Sequence, residues 1–295
     1  VIVTCTFFMM KNLPGTPFDA ERFSIMTPQQ QERVLEMYGL NDSLPMQYVK
    51  YIQNMLKGDL GTSFTYVNKD VSKGITGRLG PSALIGIQAV LIGLAIGLIL
   101  GILAAWKHNS GIDYLTMILA VLGVSVPNFV AAALLQYYIG LKWGALPVGF
   151  WTGWNCSVLP SIALSFSATA MVARFMRTEM LDVLDQDYIV TARAKGLSQM
   201  KVLMRHAVRN SILPVVTILG PIVVNLMTGS LAVENIFSIP GIGSLFVDCI
   251  KANDYPVIMG ITIFYAAFYM LVVLLVDLAY SLIDPRIRLA KGKES

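Results

Sequence analysis

The sequence has 295 residues, a net charge of +4, 55% hydrophobic residues and only 14% charged residues. A soluble domain carries roughly 25% charged residues, so this charge content excludes an ordinary water-soluble protein. The low charge also excludes an intrinsically disordered chain. The three cysteines lack metal-ligand spacing and are too scattered for a disulfide framework; Cys249 is predicted to lie in a loop. We therefore predict a membrane protein with several spans.

Five long segments are almost free of charged side chains. The first, 83–105, would form a helix of about 34 Å, which is enough to cross a hydrocarbon core of about 30 Å. The others are 114–141, 158–173, 211–233 and 257–283. Each is predicted to cross the membrane as a helix.

The apolar start of the chain, residues 1–10, is shorter than a full span. It has no basic n-region, so it is not typical of a signal peptide. We interpret it as the end of a first transmembrane helix whose beginning is missing; a short interfacial helix is the alternative. With this helix, the prediction is six spans.

Lysine and arginine are distributed unevenly between the loops. Seven lie between residues 174 and 209 and four in the tail 284–295, whereas the loops 142–157 and 234–256 hold one each. Short cytoplasmic loops of membrane proteins carry the excess of basic residues. We therefore expect the segment 177–210 and the C-terminal tail in the cytoplasm, and the two loops of low charge outside.

Residues 14–79 have the composition of a soluble segment, with four prolines and charges throughout. The Thr-Pro pair at 27–28 is typical of a helix N-terminus and predicts a helix over 31–38. A second amphipathic stretch, 45–56, predicts another helix, and a glycine follows each of the two. We predict a small folded cap on the extracellular face, with a flexible loop as the alternative.

Glycines and prolines within the spans indicate close packing and breaks. Gly93, Gly97 and Gly101 are spaced by four residues, which puts them on one helix face where another helix can approach closely. Pro127, Pro214 and Pro221 are helix breakers in later spans. Several packed and broken helices imply a path or a pocket rather than a simple anchor.

Few polar side chains lie within the predicted spans, and such groups normally face protein or water because lipid offers no partner. The candidates for a transport path are Gln88, Asn128, Gln136 and Asn225. Asp277 is interpreted as a helix-end residue, because the spans hold no series of ionisable groups for a proton relay. The sequence also lacks a G-x-x-x-x-G-K-[ST] phosphate loop, so a transporter of this kind would need an energy source outside the chain.

The sequence of residues 177–210, which we call the basic segment, predicts two short helices separated by a turn. Acidic residues at 185–187 come first and basic residues follow, an order that suits a helix dipole. Gly196 then ends the first helix, and Ser198 is placed to cap a second one. Two short helices across the inner face would form a docking surface; the alternative is a basic loop that only follows the positive-inside rule.

The same segment carries a resemblance to a known family. Ala192 and Gly196 match the EAA loop of ATP-binding-cassette (ABC) importer permeases. In this chain, Val190 and Thr191 stand in place of the glutamate and the first alanine of that motif. Further stretches that resemble the oligopeptide/dipeptide branch of that family are 13–17, 38–40, 45–48, 58–63, 125–127, 159–161, 187–197, 205–207, 236–243, 254–256 and 284–286. The chain therefore resembles, over essentially its whole length, the first of the two permease subunits of an oligopeptide importer.

The resemblance implies an all-α multi-pass protein of the bacterial cell membrane with the transmembrane fold of a type I ABC importer. This fold would contain six helices and a small extracellular helical cap. The implied divisions are the end of the first helix at 1–13, the cap at 14–79, the transmembrane domain at 80–283 with its coupling loop at 177–210, and a cytoplasmic tail at 284–295.

The resemblance also implies partners. These are a second permease subunit, two ABC ATPase subunits that bind ATP and magnesium, and an extracytoplasmic peptide-binding protein, besides the lipid bilayer. The chain itself would be non-catalytic, without a cofactor, a metal site or a nucleic-acid partner. Closure of the ATPases on ATP would move the coupling helix and switch the spans between inward and outward access.

By the same resemblance, two sets of residues are expected to contact partners. Those expected to couple to an ATPase are Asp187, Tyr188, Ala192, Arg193, Ala194, Lys195, Gly196 and Leu197. Those expected to contact the binding protein, because they lie on the outer side, are Glu234, Phe237, Pro240 and Gly241 together with the cap 14–79; for the turn, a purely structural role is the alternative.

Other functions share part of this pattern. Within the family, a dipeptide, nickel or signalling-peptide importer is the alternative to an oligopeptide importer, because the permease motifs are shared. An ion-coupled carrier would need buried ionisable residues. An intramembrane enzyme would need a catalytic constellation, but His108 and His206 are both expected near the membrane surface without one.

Overall fold

The computed structural model describes residues 1–12, 23, 25–37, 39–66 and 69–283. The stretch 13–17 and the predicted tail 284–295 therefore lie outside the described residues. The described part of the chain is helical apart from its loops and one isolated antiparallel β-bridge between Thr62 and Asp70.

Helices follow one another along the described residues with short connections. In chain order they are α1 (Ile2–Asn12), α2 (Pro28–Met37), α3 (Leu44–Leu56), α4 (Val71–Trp106), α5 (Gly111–Ser125), α6 (Asn128–Leu135), α7 (Val158–Leu184), α8 (Asp187–Ala194), α9 (Gln199–Val202), α10 (Arg209–Thr217), α11 (Leu219–Ile236), α12 (Ile242–Lys251) and α13 (Tyr255–Ile283). The π-helix Gln136–Lys142 continues α6, the π-helix Leu203–Val208 joins α9 to α10, and the 3₁₀ turn Trp154–Ser157 leads into α7.

The chain folds as two compact units. The first unit consists of Val1–Gly80 and Pro240–Phe268, and the second of Pro81–Ile239 and Tyr269–Ser295. The sequence predicts one transmembrane domain over 80–283, so the membership of 240–268 in the first unit differs from that expectation. The physical reason is apolar packing of α12 and the start of α13 against the start of α4.

Among the described residues, three helices are long and apolar enough to cross a membrane, and α5 with Asn128–Lys142 makes a fourth if the two count as one span. The three are Val71–Trp106, Trp154–Leu184 and Tyr255–Leu278. They correspond to the predicted spans 83–105, 158–173 and 257–283, and the second runs on to Leu184. The apolar start of the chain is the helix α1, which has 11 residues.

The predicted span 114–141 is bent by 99° at Pro127. Proline has no N–H to donate to the Gly123 carbonyl, so the hydrogen bonding of α5 stops there. Its ring also restricts the preceding residue to extended backbone, and Val126 has φ −84° and ψ 118°. This part of the chain is therefore two helices that meet at a bend rather than one straight helix.

The predicted span 211–233 is also divided. α10 ends at Thr217 and α11 begins at Leu219. Pro221 lacks the N–H that would bond to the Thr217 carbonyl, and this missing donor explains why the helix is interrupted at that point.

The N-terminus of α2 is a capping box. The Thr27 hydroxyl oxygen accepts a hydrogen bond from the Gln30 N–H at 3.4 Å, and the Gln30 side-chain oxygen accepts one from the Thr27 N–H at 2.9 Å. Gly39 and Gly58 follow α2 and α3 with φ of +65° and +83°, a conformation that costs glycine nothing. Both helices predicted for this segment are present.

The core of the first unit joins α4, α12 and α13. Val71 and Ile75 at the start of α4 pack with Ile242 on α12 and Ile258 on α13. Gly260 makes this contact possible, because a Cβ there would lie 2.5 Å from Val71 Cγ1.

A buried carboxylate holds the loop that precedes α4. Asp254 is fully buried and accepts hydrogen bonds from the Ser63 hydroxyl and from the N–H groups of Phe64 and Thr65, the latter two at 3.1 Å. Ser63 Oγ in turn accepts a hydrogen bond from the Tyr66 N–H at 2.8 Å. Two stretches that carry the family resemblance, far apart in the sequence, therefore meet at one carboxylate.

Cys249 lies on the buried side of α12, so the prediction of a loop position is wrong. Its helix presents Ile242, Leu245 and Cys249 to the same core. Burial raises the pKa of the Cys249 thiol to about 12, so the thiol stays protonated at neutral pH and is a packing residue.

α7 is the most buried of the three long helices, and glycines let α4 approach it closely. A Cβ at Gly93, Gly97 or Gly101 would lie 2.6 or 2.7 Å from an atom of α7. We call these three glycines and residues 168–177 of α7 the glycine seam. A Cβ at Gly123 on α5 would lie 3.0 Å from another α7 atom, so α5 also packs closely on this helix.

We predict that Asp254→Ala destabilises the first unit, because the buried Ser63 hydroxyl and two backbone amides lose their acceptor. Hydrogen bonds to charged groups are worth about 1.5–3 kcal/mol each, so the thermal unfolding midpoint of the purified chain in detergent should fall by several degrees. Asp248→Ala is the matched control, because Asp248 is exposed on the neighbouring α12. Equal midpoints for the two variants would contradict the prediction.

We predict that Gly97→Ala separates α4 from α7, because the new methyl group would lie 2.8 Å from the Thr169 carbonyl oxygen and 2.7 Å from Val172 Cβ. The unfolding midpoint should fall even though alanine favours a helix over glycine by about 1 kcal/mol. Gly86→Ala on the same helix meets nothing within 4 Å and should leave the midpoint unchanged or raise it. A fall of the same size in both variants would show that helix propensity, and not the seam, is being measured.

Candidate coupling surface and transport path

The basic segment folds as two short helices on either side of Gly196. α8 begins after only two residues beyond the end of α7, and α9 begins at Gln199. Gly196 has φ +77°. Its N–H donates to the Arg193 carbonyl at 2.9 Å, and the Leu197 N–H donates to the Ala192 carbonyl at 3.4 Å. This pair of bonds is a Schellman turn, which requires a left-handed residue at its centre.

One side of this segment packs against the protein. Ile189 is fully buried and lies with Ala192 and Val202 against the end of α7 at Val183 and Leu184. Ser198 stands at the N-cap of α9, but its side chain makes no capping hydrogen bond. The segment is therefore held to α7 by apolar contact, not only by its place in the chain.

The basic segment is attached to α7 a second time, just after the π-helix Leu203–Val208. The Ser211 hydroxyl donates to the Ala207 carbonyl at 2.8 Å and to the Glu179 carbonyl of α7 at 3.3 Å. The Asn210 amide donates to the Tyr188 hydroxyl at 3.1 Å. The two ends of the basic segment are thus tied to α7 and to each other.

The other side of the segment is exposed and carries most of the predicted coupling residues. Those exposed are Asp187, Tyr188, Arg193, Ala194, Lys195, Gly196 and Leu197. Ala192 is only 6% exposed and faces the protein, which corrects its expected place in the outer surface. Its small side chain instead lets α8 lie close against Val202.

Three exposed apolar side chains of the same surface were missed by the sequence reasoning. Val190, Met200 and Met204 are 59%, 51% and 54% exposed. They lie among the exposed bases Lys195 and Lys201, so the surface combines positive charge with apolar area. Val190 lies out of phase with Ile189 and Ala192 on α8, and this position is the signal that could have found it.

The predicted path residues do not lie together. Gln88 on α4 accepts a hydrogen bond at 2.9 Å from the Ser161 hydroxyl on α7. The Gln136 amide donates to the carbonyls of Val148 at 2.5 Å and Ile236 at 2.9 Å. Each of these two glutamines joins segments of the second unit, and this contact explains why a polar group is placed there.

Asn128 is half-buried at the first position of α6, directly after the bend. Asn225 lies in α11, and its side chain is outside the described part of the chain. The expectation that the four residues line one path therefore stays a prediction.

A cavity of about 500 Å³ lies in the angle of the bent helices. It is lined by Leu100 on α4, Gly123 on α5, Leu135 on α6 and Ala170 on α7. The lining is apolar apart from threonine hydroxyls, and Gln88, Asn128 and Gln136 are not part of it. Such a surface can hold apolar groups but offers nothing to the charged ends of a peptide.

The turn that was expected to contact a binding protein is mostly internal. Glu234 is fully buried and accepts a hydrogen bond from the Ser82 hydroxyl at 2.8 Å, and Phe237 is 1% exposed. The Phe237 carbonyl accepts a hydrogen bond from the Phe150 N–H at 2.9 Å. The side chains of Glu234 and Phe237 therefore cannot form an outer contact in this conformation.

Pro240 is exposed, whereas Gly241 is buried at the N-cap of α12. The contact with a binding protein stays a prediction, and of the four residues expected in it Pro240 is the exposed one. Among the described residues, no group of three or more His, Cys, Asp or Glu side chains is arranged to hold a metal ion.

A comparison with protein families identifies the chain's class. Residues 97–289 match the family described as the inner membrane component of binding-protein-dependent transport systems. The chain belongs to this family. The matched range includes the basic segment, the bent helices and α11, so the features described above belong to a transport-system membrane component.

Named relatives of this family match nearly the whole chain. The dipeptide transport system permease protein DppB of Lactococcus lactis subsp. cremoris (strain MG1363) is 45% identical over 289 residues, which cover 98% of this chain and 94% of that protein. DppB of Bacillus subtilis (strain 168) is 43% identical, with 99% and 94% covered. The oligopeptide transport system permease protein OppB of Salmonella typhimurium is 39% identical, with 98% and 94% covered.

Two solved structures share the fold of this inner membrane component. The MetNI methionine ABC transporter in an inward-facing conformation matches with a TM-score of 0.62 at 13% identity, covering 71% of this chain and 96% of that chain. An amino acid ABC transporter matches with a TM-score of 0.53 at 19% identity, covering 72% and 92%. The predicted all-α membrane fold of an ABC importer is confirmed.

Proposed function

We propose that this chain is the membrane permease subunit of an ABC importer that moves peptides across the bacterial cell membrane. The observation that carries the proposal is the 45% identity to a dipeptide permease over 98% of the chain. A match over 98% of the chain extends over the bent helices, the basic segment and the buried Asp254 loop, not over a single motif.

The class of peptide is the finer part of the proposal. The sequence favours an oligopeptide importer, whereas the dipeptide permeases of two bacteria match at 45% and 43% and the oligopeptide permease of Salmonella typhimurium at 39%. Because the dipeptide permeases match at higher identity, a dipeptide importer is the second candidate function.

The chain needs partners to use ATP. We infer a second permease subunit, two ATPase subunits that bind ATP and magnesium, and an extracytoplasmic peptide-binding protein. The sequence has no phosphate loop of its own, which supports an energy source in other subunits. On this view the chain is not an enzyme, and it lies in the membrane with the basic segment and the C-terminus in the cytoplasm.

The exposed face of α8, Gly196 and α9 is the surface we assign to an ATPase. It presents Arg193 and Lys195 for acidic groups of the partner, and Val190 and Met200 for an apolar groove. Because the buried face is packed on α7, a displacement of this surface moves α7 with it. Closure of two ATPases would thus be converted into helix movement and alternating access.

We predict that peptide uptake depends on this chain and on ATP. In a host whose own peptide permeases are deleted, the complete importer should restore uptake of a labelled dipeptide, and omission of this chain should abolish it. Competition by unlabelled dipeptide and pentapeptide decides between the two peptide classes. Uptake that survives ATP depletion and stops with a protonophore would contradict the proposal, because it is the behaviour of an ion-coupled carrier.

We predict that Gly196→Val uncouples transport, because a β-branched residue is strained by about 1–2 kcal/mol in the left-handed conformation. Peptide uptake per ATP hydrolysed in proteoliposomes should fall by roughly tenfold, which is the factor that 1.4 kcal/mol represents. Gly196→Asn should retain coupling, since asparagine adopts this conformation readily.

Gly144→Val is the matched control, because Gly144 has φ +61° and open space around it but lies outside the basic segment. Loss of coupling in this control as well would mean that backbone strain anywhere in the chain has the same effect, and the assignment of the ATPase surface would fail.

A further inference from the structure

An ion pair between a buried carboxylate and a half-buried arginine joins α5 to α7, near the end of α7 that leads into α8. Asp113, in the first turn of α5, has a side chain that is only 2% exposed. Arg177 of α7 contacts it through two nitrogens, with Nε 2.5 Å from Oδ1 and Nη2 2.7 Å from Oδ2. This two-pronged geometry is the strongest form of an arginine–carboxylate contact.

The turn between α4 and α5 contributes to the same cluster. The Asn109 N–H donates to Asp113 Oδ2 at 3.0 Å. His108 Nδ1 lies 3.2 Å from Asp113 Oδ2 and 3.2 Å from Arg177 Nη2. The carboxylate is therefore bound by groups of both the turn and α7, and we call Asp113, Arg177, His108 and Asn109 the ion-pair cluster.

The ion-pair cluster lies where the glycine seam ends. A Cβ at Gly101 would lie 3.2 Å from the Arg177 backbone nitrogen, so α4 reaches α7 at the very residue that binds α5. Farther along α7, Gly123 of α5 packs on the Ala170 side chain. The second half of α4, α5 and α7 are thus connected at both ends of their contact.

The contact between α5 and α7 joins two parts of the protein that have different proposed functions. α7 is joined to α8 by Asp185 and Gln186 alone. The exposed face of α8, Gly196 and α9, which we call the coupling surface, therefore follows directly on α7. At its other end, α5 leads through the bend at Pro127 into α6, which lines the apolar cavity. The ion-pair cluster therefore lies between the coupling surface and the bent helices α5 and α6.

We propose that the Asp113–Arg177 ion pair transmits the movement of the coupling surface to the bent helices. Both are positioning residues for transport, and neither is assigned a contact with the peptide. With the pair intact, α5 moves together with α7 when the ATPases displace α8. Without it, α7 moves while α5 stays behind, and ATP is hydrolysed without transport. The proposal rests on the proposed function for the source of the movement.

The chemistry of the two side chains suits this role better than apolar packing does. Separation would leave the buried Asp113 carboxylate without its charge partner, which is strongly unfavourable, so the pair resists separation. The arginine fork also fixes an angle as well as a distance, which lysine does not. A small displacement of α7 is thus passed to the first turn of α5 rather than absorbed by side-chain rotation.

The test is the ratio of peptide imported to ATP hydrolysed by the complete importer in proteoliposomes. The variants are Asp113→Asn, Arg177→Lys and the exchange Asp113→Arg with Arg177→Asp. In the two single variants the ratio should fall by roughly tenfold, within the usual range of coupling between sites, while assembled complex and ATP hydrolysis remain. The exchange should recover part of the ratio. Arg174→Gln, which removes an exposed charge one turn away on α7, should leave it unchanged.

A measurement with the ion pair intact keeps the proposal falsifiable if the variants fail to assemble. Spin labels at Ile118→Cys on α5 and Thr178→Cys on α7, with the exposed Cys5 replaced by serine, report the distance between the two helices. The distance should be the same without nucleotide and in an ATP-trapped state. A change between the states, or an unchanged import ratio in assembled Asp113→Asn, would overturn the proposal.

The two measurements also separate this proposal from the proposed function. A wild-type complex that hydrolyses ATP but imports no peptide would refute the proposed peptide transport. The spin-label distance would still decide whether α5 and α7 move as one body when the ATPases close.

Discussion

The close approach of α4 to α7 is the contact on which the second unit depends. Three glycines on one face of α4 bring its backbone within van der Waals distance of α7, and any side chain there would force the helices apart. Because van der Waals packing replaces the hydrophobic effect between helices in a bilayer, this contact area is a main source of stability. α7 consequently becomes a buried central helix from which the coupling surface continues.

Polar groups have a different function in this protein: they hold the irregular parts. Asp254 holds a loop, Gln136 joins a π-helix to two carbonyl groups, and Asp113 holds a turn and the start of a helix. In each case one side chain binds backbone groups that lie outside regular helical hydrogen bonding. Nearly all of them join segments distant in the sequence, so their loss would affect more than one element.

Local features of the fold could be predicted from the sequence. The helix N-terminus at Thr27, the break at Pro127 and the turn at Gly196 each follow from the chemistry of one or two residues, and the structure has all three. The glycine spacing on α4 likewise indicated a close helix contact. These features need no knowledge of distant parts of the chain.

The orientation of side chains could not be predicted in the same way. Ala192 and Glu234 were expected in outer surfaces and are buried, and Cys249 was expected in a loop and lies on a helix. Which face of a helix is covered depends on elements far away in the sequence, and the partner of Asp254 is separated from it by 191 residues. A single sequence holds no direct signal for contacts of this range.

The bend between α5 and α6 has a consequence for the surroundings of the chain. The last carbonyl groups of α5 and the first N–H groups of α6 have no partners within their own helices, and hydrocarbon offers none. Ser125, Pro127 and Phe129 at this bend are exposed in the isolated chain. Where these helices cross the bilayer, their meeting point must therefore be covered by another protein chain or opened to water. The bend marks a part of the surface from which lipid is excluded.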